Sequence, residues 1–275
     1  MVSDQLPVIT VITPSYNQAD YLETTLRSVL DQAYPALEYI VIDGGSTDGS
    51  VEIIRRYAER LTYWLSEPDN GQAAAINRGM KQASGEILCW LNSDDFLLPG
   101  ALRSVGEIFA RFPQIAWLSG LDVTADQAGR VLTCRRPVGR FRALIRRGWY
   151  HGRSLGFIRQ ESTFWRRSLW EQAGGCLNEH LHYALDFDLW RRFAAYTDLV
   201  TVRAMLAAYR IQPAQKTAQI ERYYAEAGIR LPAAARWLTL PLRAAITPLT
   251  WKFAPLVEDA GGWQFHPGSF FRELG

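Results

Sequence analysis

The chain has 275 residues, 48% of them hydrophobic and 21% charged, a composition that excludes disordered and fibrous proteins. Its length predicts one or two domains. Three separated cysteines without a CxxC pair argue against a disulfide scaffold or a cysteine-ligated zinc and are typical of a reducing compartment. The sequence lacks the features of a secretory signal and the roughly 20 apolar residues of a membrane span, so we expect a cytoplasmic protein.

The formal net charge of +2 conceals an uneven distribution along the chain. Residues 1–126 carry a net charge of −9, whereas residues 127–170 carry 11 arginines against one acidic residue, Glu161. This arginine block either binds an anionic acceptor or a membrane surface, or is a solvated face that balances the acidic half. No recognised nucleic-acid-binding module accompanies the charge, so we expect no nucleic-acid partner.

Short apolar runs alternate with helical patterns through the first half of the chain. The runs are rich in β-branched and aromatic residues, as strands buried on both faces require, and cover residues 8–13, 38–43, 61–66 and 86–91. Apolar residues at i, i+3, i+4 spacing predict helices around 21–29, 51–58, 73–80 and 102–112. The alternation predicts an α/β fold in which helices flank a mostly parallel sheet.

Polar residues follow each of the four predicted strands. In open parallel sheets, ligands bind outside the carboxyl ends of the strands. We therefore expect one edge of the sheet to bring together residues 14–17, Asp43, residues 67–70 and residues 92–95.

The second half of the chain has a weaker periodicity. A strand and a short basic helix are predicted within 132–154, and a strand followed by a helix within 161–175. Residues 185–196 have the pattern of an amphipathic helix that begins at its acidic residues.

Two adjacent carboxylates, Asp94 and Asp95, end the apolar strand in the sequence LNSDD. The chain has no GxGxxG or GxxxxGK[ST] loop and no GxSxG elbow, so it lacks the common phosphate-binding loops and this type of nucleophile. Carboxylates brought together at a sheet edge can hold Mg²⁺, which proteins bind with one or two carboxylates plus substrate phosphates. The alternative is a solvated turn in which one of the two acids caps the next helix.

Several blocks of the sequence resemble the inverting family 2 glycosyltransferases of the GT-A fold. They are TVITPSYNQADYLETTLRSVLDQ, YIVIDGGSTDGS, EPDNGQAAAINRGMKQASGEILCWLNSDD, QESTFWRRSLWEQAGG, LHYALDFDLWRRF and AAYRIQPAQKT. The resemblance covers roughly residues 6–217 in the order and spacing of the family. It is specific for the family but does not identify a substrate.

The resemblance implies a nucleotide-sugar donor, of UDP or dTDP type, that binds at the sheet edge. The residues it places around the donor are Pro14, Tyr16, Asn17, Asp43, Asp69, Gln72 and Asp94. Tyr16 would pack near the base, and Asp43 would accept a hydrogen bond from it. As alternatives, Asp43 is a cap within GGSTDG, and Asp69 and Gln72 are ordinary turn and first-turn helix residues.

The motif of residues 92–95 would then be the metal site of the family. We expect Asp95 to bind Mg²⁺ or Mn²⁺ directly, with Asp94 at the metal and at the ribose or donor sugar. Gln212 stands where many relatives have a histidine that helps to hold the metal or the diphosphate, so we expect either a weaker affinity for the metal or a different coordination here.

Asp186 aligns with the catalytic base of the family, although Leu185 replaces a glutamate of its motif. The helix N-terminus favours the ionised form that a base requires. Asp188 can pair with Arg191 or Arg192 and is expected to be structural. The alternative for Asp186 is a plain helix cap.

The resemblance also predicts the organisation of the chain. A GT-A domain (1–228) would consist of a donor half (1–126) and an acceptor half (127–228), with His182, Glu161 and Trp165 on the acceptor side. The tail (229–275) combines Trp, Leu, Arg and Lys, as interfacial segments do, and either contacts the inner membrane surface or packs onto the domain. The acceptor would be a glycan or a lipid-linked glycan. Less favoured alternatives are a nucleotidyltransferase and a non-catalytic sugar-nucleotide or glycan-binding protein.

Overall fold

The computed structural model of the chain describes residues 6–135, 140–213, 215–230, 239–246, 256–259 and 262–265. Its strands are β1 (Ile9–Ser15), β2 (Leu37–Asp43), β3 (Tyr63–Ser66), β4 (Ile87–Trp90), β5 (Phe96–Leu97), β6 (Trp117–Ser119), β7 (Asp122–Ala125), β8 (Val131–Arg135), β9 (Thr163–Arg166), β10 (Val200–Thr201), β11 (Ala207–Arg210), β12 (Leu256–Asp259) and β13 (Gly262–Phe265). Its α-helices are α1 (Ala19–Leu30), α2 (Ser50–Tyr57), α3 (Gln72–Gln82), α4 (Ala101–Arg111), α5 (Arg142–Arg146), α6 (Arg167–Gln172), α7 (Leu185–Phe193), α8 (Ile220–Glu226) and α9 (Leu240–Ile246).

The larger sheet has seven strands in the order β10, β6, β9, β4, β1, β2, β3. Neighbouring strands pair in parallel except at β9, which runs antiparallel to both β4 and β6. The prediction of a mostly parallel α/β sheet is confirmed. The exception arises because β9, from the predicted strand-and-helix unit of 161–175, inserts between two parallel segments.

The strand register aligns the polar residues that follow the strands. Ser15 at the end of β1 pairs with Asp43 at the end of β2, and Asp43 pairs with Ser66 at the end of β3. Leu91, directly after β4, donates its N–H to Ile12 O of β1 at 2.8 Å. The loops after these four strands therefore lie along one edge of the sheet, as the sequence predicted.

Aromatic rings form the packing between β4, β6, β9 and helix α7. Trp90, Trp117, Trp165 and Trp190 make ring contacts with centroids 5.4–6.0 Å apart. Such pairs contribute roughly 0.5–1.5 kcal/mol each beyond the burial of their area. This tryptophan cluster fixes α7 against β4, the strand that carries the Asp94–Asp95 motif at its end.

A second sheet, which the sequence did not predict, lies beside the motif. Its four strands have the order β5, β11, β7, β8. The short strand β5 begins directly after Asp95 and pairs antiparallel with β11 through Phe96 and Ala208. As a result β11 carries Arg210, and Gln212 just beyond it, to the two carboxylates.

Parts of the tail pack against the rest of the molecule. Strands β12 and β13 form an antiparallel hairpin, whose residues Leu256 and Trp263 are buried in the main hydrophobic core. Leu256 also pairs with Val202 and accepts a hydrogen bond from Arg203 N at 3.0 Å. For these residues the packing alternative for the tail is the observed one.

Trp237 and Trp251, two further tryptophans of the tail, lie outside the described residues. The domain boundary near residue 228 stays a prediction. None of the helices in the described part of the chain combines the length and the apolarity that a membrane span requires.

If the hairpin is part of the folded core, shortening Trp263 will destabilise the whole protein. We expect Trp263→Ala to lower the free energy of unfolding by about 3–5 kcal/mol, the usual cost of removing a buried large aromatic side chain. The neighbouring exposed residue Gln264 provides the control. Gln264→Ala should change the free energy of unfolding by less than about 0.5 kcal/mol. Urea denaturation measures both variants, and equal stabilities would contradict the packing of the hairpin.

Candidate active site

The loops that follow β1 and β2 are joined to each other by hydrogen bonds. Asn17 has a φ of 51°, in the left-handed region that Asn adopts more readily than most residues. Its Oδ1 accepts a hydrogen bond from Thr47 N at 2.9 Å, and its N–H donates to Ser46 Oγ at 2.8 Å. Pro14 is buried, whereas Tyr16 is 62% exposed. The ring of Tyr16 is therefore available to pack on a flat ligand.

Asp43 has a carboxylate whose oxygens are occupied by its own surroundings. Its Oδ2 accepts hydrogen bonds from Gly45 N (3.1 Å), Ser46 N (2.9 Å) and Ser66 Oγ (2.8 Å), and its Oδ1 accepts one from Ser46 Oγ (2.5 Å). These bonds favour the alternative in which Asp43 organises the loop GGSTDG. A hydrogen bond to a nucleobase would have to share an oxygen with them.

Asp69 and Gln72 lie on the same edge. Asp69 is exposed and approaches the β2 loop so closely that a Cβ atom at Gly44 would lie 3.1 Å from its Oδ1. Gln72 begins α3, and its Nε2 donates to Asn92 Oδ1 at 2.7 Å. The Gln72 amide thereby joins the loop after β3 to the motif after β4.

The two carboxylates of the motif have different environments. Asp95 is 1% exposed, and its oxygens accept hydrogen bonds from Arg210 N (2.9 Å) and Asn92 Nδ2 (3.3 Å). Asp94 is partly exposed; its Oδ2 accepts from Gln212 Nε2 at 3.1 Å, and no described residue bonds to its Oδ1. Asp94 therefore offers the more accessible oxygen to a ligand.

The charges around the motif are suited to a cation. Burial, Asp94 and Glu161 together raise the pKa of Asp95 well above its usual range. In the described part of the chain, no three or more His, Cys, Asp or Glu side chains are grouped as a metal site. Two carboxylates are nevertheless the usual protein contribution to a Mg²⁺ ion that also binds substrate phosphates. The donor set fits such a metal.

Asp186 is the second residue of α7. Its Oδ1 accepts a hydrogen bond from Phe187 N at 2.8 Å, and burial raises its pKa to about 6. Asp188 is paired with Arg192 at 2.9 Å, which confirms its predicted ion pair. Asp186 is therefore a carboxylate at neutral pH with a raised proton affinity, as general base catalysis requires.

The loop before α7 is held by Glu226, the last residue of α8. The Glu226 carboxylate accepts hydrogen bonds from His182 N (3.0 Å), Tyr183 N (2.7 Å) and Ala184 N (3.1 Å). Backbone N–H groups at the start of a helix have no partner within the helix. Glu226 thus fixes the backbone that immediately precedes Asp186.

Glu161 lies between the motif and Asp186. It is buried, and one of its oxygens, Oε1, has no hydrogen-bond partner. Burial raises its pKa to about 7, Arg159 opposes the rise, and Asp186 adds to it. The Arg159 guanidinium lies 4.9 Å from the ring centroid of Tyr209. The site therefore extends as a row of carboxyl groups from Asp95 through Glu161 to Asp186.

Two residues predicted for the acceptor side lie in very different places. Trp165 is fully buried in the tryptophan cluster, so its assignment to the acceptor side is wrong: the side chain packs between strands and cannot touch a ligand. His182 is exposed and belongs to the loop that Glu226 holds.

Most of the arginine block serves the fold. Arg166 and Arg167 bond to main-chain carbonyls, Arg142 bonds to the carbonyls that follow α7, and Arg153 pairs with Glu221 at 2.5 Å. Arg136 lies outside the described residues. Arg140 is buried and pairs with Asp122 at 3.6 Å, and Arg159 is close enough to Glu161 to oppose the rise in the pKa of that carboxyl. The block is therefore not a uniform basic surface.

Two residues of the site were not identified as such from the sequence. Arg210 donates its Nε–H to Asp94 O at 2.6 Å, and Glu226 accepts hydrogen bonds from the loop before α7. Each acts on residues that are more than 30 positions away in the chain. Lys216, for which the sequence left a phosphate contact and a solvated side chain as alternatives, also contacts this loop. No local pattern in the sequence reports such contacts.

Comparisons with known proteins agree with this geometry. The family described as glycosyl transferase family 2 matches residues 10–169. The chain is 31% identical to an uncharacterized glycosyltransferase of Mycobacterium tuberculosis over 205 residues, which are 74% of this chain and 75% of that protein. It is 44% identical to TuaG of Bacillus subtilis, named as a teichuronic acid biosynthesis glycosyltransferase, over 92 residues, 32% of this chain and 36% of that protein.

Solved structures share the fold. TarS of S. aureus in complex with UDP-GlcNAc superposes with a TM-score of 0.63 at 18% identity, over 86% of this chain and 71% of that one. The mannosyltransferase PcManGT of Pyrobaculum calidifontis, in complex with GDP-Man and Mn²⁺, has a TM-score of 0.61 at 21% identity, over 88% and 74%. The predicted GT-A fold is confirmed, and the chain belongs to glycosyltransferase family 2.

Proposed function

We propose that this glycosyltransferase inverts the anomeric centre of its donor sugar, depends on a divalent metal and uses Asp186 as its general base. One observation carries the proposal. The tryptophan cluster packs α7 against β4, so that Asp186 and the Asp94–Asp95 pair lie at the same edge of the sheet. A direct displacement requires the general base and the site of the diphosphate to lie on opposite sides of one sugar ring, and therefore in the same region of the protein.

The reaction follows from that arrangement. The acceptor hydroxyl oxygen attacks the anomeric carbon from the side opposite the nucleoside diphosphate. The bond from that carbon to the diphosphate oxygen breaks, and its electron pair leaves with the nucleotide. Asp186 accepts the hydroxyl proton, which is why it must be ionised before the attack. Glu226 keeps the loop before Asp186 in place while the acceptor binds.

Asp94 and Asp95 would hold the metal, and the Gln212 amide, whose Nε2 donates to Asp94 Oδ2, lies beside them. The sequence favoured Asp95 as the direct ligand, whereas the greater exposure of Asp94 leads us to propose Asp94 as the principal one. When bound, Mg²⁺ or Mn²⁺ offsets the negative charge that develops on the leaving diphosphate.

The donor is proposed to be a nucleoside-diphosphate sugar. The structural relatives bind UDP-GlcNAc and GDP-Man, and the loops after β1 to β4 offer the same edge to such a ligand. The exposed Tyr16 would pack on the base, with Asn17 and Asp69 beside it and Asp94 near the ribose. Of the nucleotides, we favour UDP or dTDP on the resemblance described above.

The acceptor is proposed to be a glycan or a lipid-linked glycan. The similarity to TuaG, named for teichuronic acid biosynthesis, supports a cell-surface polysaccharide as its class. We further propose that the protein acts in the cytoplasm and reaches lipid-linked acceptors by peripheral contact with the inner face of the membrane.

Release of nucleoside diphosphate from a panel of sugar nucleotides tests the proposed function. Slow hydrolysis of one donor in Mg²⁺ or Mn²⁺, abolished by EDTA, is the expected result and names the donor. Binding of a donor without turnover would indicate that the acceptor is required. Absence of donor binding across the panel would contradict the proposal.

Replacing the base should abolish transfer but spare donor binding. We expect Asp186→Asn to lower the turnover rate by about 10²–10⁴-fold, the usual contribution of a general base, and to leave the donor affinity within about threefold. Asp188→Asn, two residues along the same helix, is the control and should retain most of the activity. Transfer by Asp186→Asn at the wild-type rate would refute the assignment.

The raised pKa of Asp186 predicts the acid limb of the pH profile. Below about pH 6 the carboxyl is protonated and cannot accept a proton, so the turnover rate should fall about tenfold for each further pH unit. About one pH unit above the pKa nearly all of the carboxyl is ionised, and this limb should be flat there. A profile of turnover at saturating donor from pH 4.5 to 8 measures it, and an unchanged rate at pH 5 would contradict the role of Asp186.

The two carboxylates of the motif should differ in their effect on the metal. We expect Asp94→Asn to raise the Mn²⁺ concentration needed for half-maximal donor hydrolysis by at least tenfold, because it removes the accessible ligand. Asp95→Asn turns one of two buried acceptor oxygens, which bond to Arg210 N and Asn92 Nδ2, into a donor and should also lower the thermal stability. Equal metal requirements in wild type and Asp94→Asn would contradict the assignment of the metal to Asp94.

A further inference from the structure

Lys216 spans the space between the donor edge and the base loop. Its ammonium group donates hydrogen bonds to Gln72 Oε1 at 2.7 Å and to His182 O at 2.9 Å. Gln72 belongs to the donor edge, and His182 lies four residues before Asp186. A single side chain thus connects the two substrate sides of the site.

The partners of Lys216 are both neutral oxygens. An ammonium group has three donors, and no described carboxylate forms an ion pair with this one. The carboxylates of Glu226 and Asp94 are close enough to act on its charge. Charged acceptors form stronger hydrogen bonds with ammonium groups than neutral ones do. A phosphate oxygen placed beside Asp94 would therefore compete well for Lys216.

The other cation beside Asp94 is not free to respond in this way. Arg210 is buried, and its Nε and Nη1 donate to the main-chain oxygens of Asp94 and Gln127, both at 2.6 Å. Lys216 is exposed and has a flexible stem. Of these two cations, Lys216 is the one that can move to a ligand.

The segment that follows Lys216 is attached to the base loop at further points. Tyr183 Oη donates to Gln219 Oε1 at 2.9 Å, and Arg222 Nη1 donates to Tyr183 Oη at 3.0 Å. With the bonds from Glu226, these contacts make residues 216–226 a strap across the loop before α7. Lys216 and the strap therefore contact the backbone immediately before the helix that carries Asp186.

We propose that Lys216 binds the diphosphate of the donor, exchanging its bonds to Gln72 and His182 for bonds to phosphate oxygens. The site would thus hold the diphosphate with the metal on one side and an ammonium group on the other. Because the exchange frees the His182 carbonyl, binding of the donor alters the loop before Asp186. This inference rests on the proposed function and adds a phosphate ligand and a link between the two substrates.

Binding of UDP and UMP, with Mg²⁺ present, separates a diphosphate contact from a general defect. We expect Lys216→Met to weaken UDP binding about tenfold or more and UMP binding by less than threefold, and Lys216→Arg to recover most of the UDP affinity. Lys81→Met, an exposed lysine at the end of α3, is the control and should change neither. Isothermal titration measures each affinity.

Two results would overturn the proposal: UDP binding by Lys216→Met at wild-type affinity, or an equal loss of UDP and UMP binding. Failure of the proposed function itself would be seen in the wild type, which would then bind no nucleotide of the donor panel. Should the wild type bind only another nucleotide, its diphosphate and monophosphate replace UDP and UMP in the same comparison.

Hydrogen–deuterium exchange tests the link to the base loop. Saturating UDP should change the exchange of the amides in residues 180–187 in the wild type and leave it unchanged in Lys216→Met. The same change in both proteins would show that Lys216 does not transmit binding of the nucleotide.

Discussion

The burial of several carboxyl groups at one end of the sheet is the constraint on which the rest of the site depends. Asp95, Glu161 and Asp186 each have a raised pKa, because burial makes their charged forms costly. A fold keeps such a cluster only if something offsets the charge or the chemistry requires it. The proposed metal at the motif and the proposed proton acceptor at Asp186 would account for the two ends of the row. Arg159 lowers the pKa of both Glu161 and Asp186.

The surrounding structure is arranged so that these groups stay in place. The tryptophan cluster fixes α7 against β4, the second sheet brings Arg210 to Asp95, and Glu226 holds the loop before Asp186. Each contact joins segments that are distant in the chain. The proposed catalytic groups lie after a strand end and at a helix start, Asp94 and Asp95 after β4 and Asp186 in the first turn of α7. The donor edge, with its exposed Tyr16, is by contrast open to a ligand.

The sequence predicts those parts of this architecture that depend on local patterns. Apolar runs and turn residues indicated the four parallel strands β1 to β4, and with them the edge at which Asp43, Asp69 and the motif meet. Trp165 was misplaced because the resemblance assigns its segment to the acceptor side, and the nearly continuous burial of this strand leaves no alternation in the sequence to show which side chains are in the core. The second sheet and the strap of residues 216–226 were not predicted, because they depend on strand pairing and on hydrogen bonds between residues far apart in the sequence. Asp43 illustrates a further limit, since its type and position suited a ligand contact while its oxygens are taken by the loop.

The central claim is that the carboxylate pair and a nucleoside diphosphate bind a divalent metal together. Electron paramagnetic resonance of Mn²⁺ tests it most directly, because free Mn²⁺ gives a strong signal that bound Mn²⁺ loses. Titration of the protein with Mn²⁺ should show weak binding alone and at least tenfold tighter binding with UDP present, beyond the affinity of UDP for Mn²⁺ itself. Nucleotide binding that EDTA leaves unchanged, with no loss of the Mn²⁺ signal, would contradict the account.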